Sequence, residues 1–187
     1  MIKPGDALLI VDPQVDFITG SLAVPGAKDL VPLWEKLARA FHARDLVAYA
    51  SRDWHPPQHC SFIHRSGKWP VHCVEYTQGA QFAINPAVYL AVISKGEAAG
   101  KEAYSAFENT SFVNQLVRHM AQRLFVCGVA TEYCVRSTVL DARRLLPSMD
   151  TIVLDDAIVG LDGAAIQDAV DDMLDAGALF GYSAYLL

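Results

Sequence analysis

Cys134 is the strongest candidate nucleophile in the chain, and its surroundings run Phe125, Val126, Cys127, Gly128, Val129, Ala130, Thr131, Glu132, Tyr133, Cys134, Val135, Arg136, Ser137. The first residues form a short apolar run, fit for a strand buried on both faces. Gly128 breaks that run, and Thr131 offers a hydroxyl where a helix can begin. Beyond it, Val135, Val139, Ala142 and Leu146 recur at helical spacing. Cys134 is therefore expected in the first turn of a helix that follows a tight strand-to-helix turn. Unpaired N–H groups and the positive end of the helix dipole favour an anion there, and a thiolate is one. A cysteine so placed has its pKa lowered and becomes a nucleophile. Cys127, within the strand, is expected to be a small buried hydrophobe.

A nucleophile needs a base, and Asp12 is placed to be one. It follows five apolar residues, so its carboxylate is expected to be partly buried. Desolvation raises the pKa of such a group, whereas a neighbouring Lys95 would lower it. An opposed pair of this kind can hold a carboxylate ready to exchange a proton with a thiol. Taken alone, Asp12 also suits a turn former and Lys95 a solvated surface residue.

A second constellation lies in the segment 53–73, which carries Asp53, Trp54, His55, His59, Cys60, His64, Trp69, His72 and Cys73. Asp53 and His55, two apart in an extended segment, point the same way and can chelate one ion. His72 can supply a third ligand from the far side of the loop. Two histidines and a carboxylate with open positions make a usual catalytic metal set. Zn²⁺ is the default ion, with Mn²⁺ or Fe²⁺ as alternatives. Two other arrangements stay open. One is a closed structural zinc site built from Cys60, Cys73 and two of His59, His64 and His72, although the tight cysteine-pair spacing of common zinc motifs is missing. The other is a set of surface histidines in a polar loop.

These groups need a scaffold, and the chain alternates strands with helices. Strands are expected over 7–11, 46–50, 91–94, 125–128 and 151–154, with a last one within 178–187. Helices are expected around Leu30 to Phe41, after a cap at Thr110 or Ser111, after Thr131, and over 163–176. Residues 53–89 form a long loop, a feature that is usually functional inside a compact domain. The alternation predicts an α/β fold of three layers, α/β/α, with a mostly parallel sheet of roughly six strands. Asp12, Asp53, Lys95 and the turn before Cys134 then all fall just past the C-terminal end of a strand. In open α/β sheets ligands bind along that edge.

Composition narrows the classes. A length of 187 residues fits one domain spanning 1–187, and 52% hydrophobic with 19% charged residues describes a packed globular chain. A net charge of −6 with no basic cluster argues against a nucleic-acid partner. No apolar run reaches the roughly 18 residues of a membrane span, and the N-terminus lacks the layout of a secretory signal. Four cysteines without paired spacing suit a reducing cytoplasm. The expected partner is a small-molecule substrate, and a homo-oligomer stays open.

The residues resemble a known family, the nicotinamidases of the isochorismatase-like cysteine hydrolases. The resemblance rests on Val11-Asp12-Pro13-Gln14-Val15-Asp16-Phe17, Arg52-Asp53-Trp54-His55-Pro56, Trp69-Pro70-Val71-His72-Cys73 and Ile93-Ser94-Lys95. It continues through residues 101–107 and through Cys127-Gly128-Val129-Ala130-Thr131-Glu132-Tyr133-Cys134-Val135. The resemblance implies a triad of Asp12, Lys95 and Cys134, and metal ligands Asp53, His55 and His72. It also implies a cis peptide between Val129 and Ala130, which aims the N–H groups of Ala130 and Cys134 at an oxyanion. Phe17, Trp69 and Tyr104 are implied to hold the substrate, nicotinamide or a pyrazinamide-like amide. The implied reaction passes through a cysteine thioester, with the metal positioning the ring, and serves NAD salvage. A related cysteine amidohydrolase for another small amide, a metal-dependent binding module without turnover, and a redox thiol protein are the alternatives. Against the last stands the lack of any CxxC.

Overall fold

The computed structural model describes residues 1–187 other than 86, 87 and 89. Six strands form one sheet: β1 Asp6–Val11, β2 Ala48–Asp53, β3 Ala91–Lys95, β4 Arg123–Gly128, β5 Asp150–Ile158 and β6 Leu179–Gly181. Their order is β3-β2-β1-β4-β5-β6, and every neighbouring pair is parallel. The helices are α1 Val15–Ile18, α2 Ala27–His42, α3 Phe112–Arg118, α4 Arg136–Leu145 and α5 Gly163–Asp175. Among the described residues, no helix is long and apolar enough to cross a membrane.

Strand β1 shows why its sequence is continuously apolar. Leu8 and Ile10 pack into one core with Trp34, Leu37 and Phe41 of α2. Ala7, Leu9 and Val11 pack into another with Phe112 and Leu116 of α3 and Val139 and Ala142 of α4. Successive residues face opposite sides of a sheet, so a strand covered on both sides has no polar face to spare. Trp34 adds a polar tie, its indole N–H donating to the Ala157 carbonyl at 2.9 Å.

The strand order reverses between β1 and β4, and the crevice outside their C-terminal ends is where such sheets bind ligands. Gly128 makes the crevice possible. Its φ is +117°, and a Cβ there would stand 2.2 Å from the Val11 carbonyl oxygen. Only glycine lets β4 leave the sheet this close to the end of β1. The next amide, Val129, donates to that same Val11 oxygen at 3.0 Å. Residues 129–134 are thereby held beside Asp12.

Strands β2 and β5 depart furthest from expectation. β2 lies later than 46–50, because Arg52 and Asp53 still pair in register with Ser94 and Lys95 of β3. β5 extends to Ile158, past a register shift between Val126 and Gly128. The long loop expected over 53–89 follows β2; its residues 86, 87 and 89 lie outside those described. It is folded back on itself by single bridges between His55 and Val74 and between Phe62 and Trp69.

Candidate active site

The helix expected to begin at Thr131 instead opens with a single π turn, Thr131–Val135, closed by a bond from Val135 N–H to the Ala130 carbonyl at 3.2 Å. The α-helical bonds of α4 start only at Arg136. Thr131 caps nothing: it is fully buried and its hydroxyl has no hydrogen-bond partner. Cys134 therefore sits in the π turn rather than in the first turn of an α-helix. The Val129–Ala130 peptide bond is cis.

Asp12, Lys95 and Cys134 meet beneath this turn. Asp12 is 0%, Lys95 1% and Cys134 7% exposed, so all three are buried. Lys95 Nζ lies 2.9 Å from Asp12 Oδ2, 2.5 Å from Asp53 Oδ1 and 3.4 Å from Cys134 Sγ. Sγ and carboxylate oxygens of Asp12 and Asp53 all fall within 4.8 Å of one another. The Lys95 ammonium thus occupies the middle of a group that would otherwise be two buried anions and a thiol. Opposite charge at that range outweighs its burial and holds Lys95 well above the usual lysine range.

The two oxygens of Asp12 have different jobs. Ser51 Oγ donates to Oδ1 at 2.7 Å and accepts the Asp12 N–H at 3.2 Å. Oδ2 faces the Lys95 ammonium but takes no aligned hydrogen bond. Burial raises the pKa of Asp12, helped by Asp53, while Lys95 and Ser51 oppose it; the net direction is upward. A carboxylate so placed accepts a proton more readily than a solvated one.

Cys134 corrects the expectation of a lowered thiol pKa. Burial pushes the thiol well up, Asp12 and Asp53 push the same way, and Lys95 alone opposes them. A helix N-terminus is worth about 0.3–1 kcal/mol at an exposed site. Full burial moves a titrating group by up to 3–5 pKa units. Burial wins, and the resting group is a thiol that needs a base.

Asp53 turns its second oxygen to the histidines. Oδ2 lies 3.5 Å from His55 Nε2 and 3.8 Å from His72 Nε2. Burial opposes ionisation of Asp53, but Lys95, His55 and His72 together hold it well below the usual carboxylate range. Each ring is fixed from behind: His55 Nδ1 bonds the Gly96 carbonyl at 2.9 Å and His72 Nδ1 the Pro70 carbonyl at 2.8 Å. A carbonyl can only accept, so both Nδ1 atoms carry their protons and both Nε2 lone pairs are left for a cation. This donor set fits a divalent metal. The rival zinc site is not assembled. His59 commits Nδ1 to Ser61 Oγ at 2.8 Å and Nε2 to the Lys101 carbonyl at 3.0 Å, and its ring stacks on His55 at 4.0 Å. Among the described residues, Cys60, Cys73 and His64 join no cluster of metal-ligating atoms.

Over these groups opens a cleft of about 350 Å³, its mouth included, lined by Phe17, Trp69, Tyr104 and Ala130 together with Asp53, His72 and Cys134. All three aromatic residues singled out from the sequence are in its wall. Trp69 donates its indole N–H to the Tyr104 hydroxyl at 3.0 Å, which locks two of the rings together. Tyr133, not singled out, also lines the cleft and meets Trp69 edge-on at 4.9 Å. Gln14 was missed as well. Its amide donates to the Asp53 and Ala80 carbonyls at 2.7 and 3.1 Å and accepts from the Asp53 N–H at 2.7 Å. An apolar run ending in Asp-Pro-Gln is the one sequence signal that pointed to it.

The Isochorismatase domain, as a family model, matches residues 6–181. The nicotinamidase of Escherichia coli (strain K12) is 37% identical over 166 residues, covering 76% of this chain and 78% of that protein. The crystal structure of the pyrazinamidase of Pyrococcus horikoshii in complex with zinc is similar at a TM-score of 0.89 and 39% identity, covering 96% of this chain and 99% of the other. A crystal structure from L. infantum in complex with nicotinate gives a TM-score of 0.89 at 35% identity, covering 97% and 94%. The family match runs from the first residue of β1 to the last of β6 and so takes in every residue of the cleft floor: the chain belongs to the isochorismatase domain family.

Proposed function

We propose that this chain hydrolyses nicotinamide to nicotinic acid and ammonia through a thioester on Cys134. The observation that carries the proposal is the meeting of a buried thiol, the Asp12 carboxylate and the Lys95 ammonium at the floor of an aromatic cleft. The similarity to a nicotinamidase, to a pyrazinamidase and to a nicotinate complex supports the choice of amide.

The amide enters with its ring among Phe17, Trp69 and Tyr104. Asp12 takes the thiol proton on Oδ2, and Cys134 Sγ attacks the amide carbon. The negative charge that develops on the oxygen is met by the N–H groups of Ala130 and Cys134. The N–H groups of Val129 and Thr131, on either side of Ala130, are committed to the Val11 and Val159 carbonyls, which supports assigning the role to Ala130. A donor of this type is worth about 3–4 kcal/mol of barrier when removed. The carbon–nitrogen bond breaks as Asp12 returns its proton to the departing ammonia, leaving the thioester. Water then gives a proton to Asp12 and attacks the same carbon. Nicotinic acid leaves as Asp12 returns the proton to Sγ. Lys95 stays charged throughout and keeps two buried carboxylates from repelling each other. Asp53, His55 and His72 would hold a divalent ion, zinc in the first place, which supplies a Lewis-acidic centre with further positions open to a ring nitrogen. We assign the reaction to the cytoplasm, supported by the free state of Cys60, Cys73, Cys127 and Cys134.

The test is ammonia release from nicotinamide, with and without a chelator. Turnover that falls on chelation and returns with zinc supports the proposal. Failure to release ammonia from nicotinamide in zinc-loaded protein would overturn it.

A further inference from the structure

One wall of the cleft comes from a loop with no catalytic group, and its position is set from the nucleophile's own turn. Leu161, between β5 and α5, lines the cleft together with Phe17, Trp69 and Tyr104 and is 39% exposed, so it stands at the mouth. Glu132 lies in the π turn that also carries Cys134. Its Oε1 accepts the Leu161 N–H at 2.8 Å and the Asp162 N–H at 3.1 Å. Two N–H bonds that converge on one carboxylate oxygen fix the loop more firmly than a single bond does. Asp162 is in turn the cap of α5, accepting from Ala164 N–H at 2.9 Å, so the loop is anchored at its far end too. A third bond, Thr131 N–H to the Val159 carbonyl at 3.0 Å, ties the loop's near end to the same turn.

The other oxygen of Glu132 supplies an independent sign. Oε2 is buried and has no hydrogen-bond partner. A Cβ at Gly160 would stand 2.1 Å from it, so the loop backbone is seated directly on the carboxylate. A buried carboxylate oxygen left without a bond costs free energy, and such atoms call for an explanation. Here the carboxylate lies between the turn that carries Cys134 and the backbone of residues 160–162.

We propose that Glu132 is a positioning residue that sets the width of the cleft through Leu161, so that an unsubstituted six-membered ring fits and a ring bearing extra carbon does not. The proposal rests on the cleft taking a small aromatic amide. Excluding one methyl group from a filled apolar wall is worth about 10–200-fold in kcat/KM.

The experiment compares kcat/KM for nicotinamide and for each of the singly ring-methylated nicotinamides in the parent and in E132A, E132Q, L161A and E132A/L161A. The parent should prefer nicotinamide over at least one methylated ring, and E132A and L161A should each erode that preference by about tenfold. For nicotinamide itself, KM should rise more than kcat falls. E132Q keeps one oxygen for both N–H groups and should keep the parent's preference. Because Glu132 acts through Leu161, the double variant should lose no more preference than either single one. A parent without preference, an L161A with undiminished preference, an E132A that slows all amides equally, or additive effects would each overturn the proposal. Should E132A fail to fold, L161A and E132Q decide. A parent inactive on nicotinamide would instead refute the proposed function. The cleft would then be read by alkylation of Cys134 with iodoacetamide against N-benzyl iodoacetamide, where E132A and L161A should narrow the parent's discrimination and an unchanged ratio would overturn the inference.

Discussion

Lys95 Nζ lies 2.5 Å from Asp53 Oδ1, while Oδ2 of the same carboxylate faces the Nε2 atoms of His55 and His72. One carboxylate therefore belongs to two centres. It neutralises the ammonium that serves Asp12 and Cys134, and it completes the donor set for a divalent ion. The Asp12–Lys95–Cys134 group and the Asp53–His55–His72 donor set are thus joined by a single side chain.

The joint predicts a severe effect of removing the cation. Lys95→Met leaves the buried carboxylates of Asp12 and Asp53 facing each other without compensation, and loss of one partner from a buried ion pair costs about 3–5 kcal/mol. Urea unfolding of chelated protein should show a loss of that size together with loss of turnover. Lys95→Arg should not restore activity, because a planar guanidinium cannot replace a compact ammonium in a fully enclosed site. A Lys95→Met variant as stable as the parent would show that the three charges do not interact as described.

The histidines give a second prediction. His55→Ala should reduce bound metal, read by elemental analysis, by more than the 10–100-fold typical of outer-shell changes. Activity on nicotinamide should fall with it. Benzamide has the same amide and no ring nitrogen, so it should be a poor substrate of the parent and should lose much less on chelation. Equal kcat/KM for the two amides, with equal sensitivity to chelator, would contradict ring anchoring.

The strands were legible because burial on both faces leaves a nearly unbroken apolar run, as at Ala7 to Val11. The chemical groups were legible because Asp12, Asp53 and Lys95 each stand at or just past the C-terminal end of a strand. What remained hidden depends on contacts distant in sequence. The Asp53–Lys95 register is a pairing between β2 and β3 that neither strand announces. Ser51 and Gln14 support Asp12 and Asp53 from 39 residues away. The π turn was hidden because a Thr at a strand-to-helix junction reads as an N-cap, whereas here its hydroxyl is buried against the core. The direction of the Cys134 shift was misread for the same reason. A local dipole is visible in sequence, and the burial that outweighs it is not.

That direction leads to a prediction with a definite sign. Asp12 raises the pKa of the Cys134 thiol, and Lys95 lowers it. Asp12→Asn removes the first influence and leaves the second, so more thiolate exists at a given pH. Alkylation by iodoacetamide near neutral pH should become faster than in the parent, while turnover disappears for want of a proton carrier. The rate should rise with pH in both proteins, with the curve displaced to lower pH in the variant. Cys127, whose thiol burial pushes well up and whose side chain is fully enclosed, should stay unlabelled in either. Slower labelling of Cys134 in Asp12→Asn would mean that the carboxylate is needed to form the thiolate even without substrate.

The central claim is covalent catalysis by Cys134, and the most direct measurement traps the thioester. Parent protein turning over nicotinamide in hydroxylamine should divert acyl groups from nicotinic acid to the hydroxamate, and acid-quenched protein should carry a nicotinoyl group on the peptide containing Cys134. Cys134→Ala should yield neither product, bind nicotinic acid as before, and retain less than about one percent of parental turnover, in keeping with deletion of a nucleophile. Hydroxamate formation by Cys134→Ala, or turnover near the parental rate, would contradict the account.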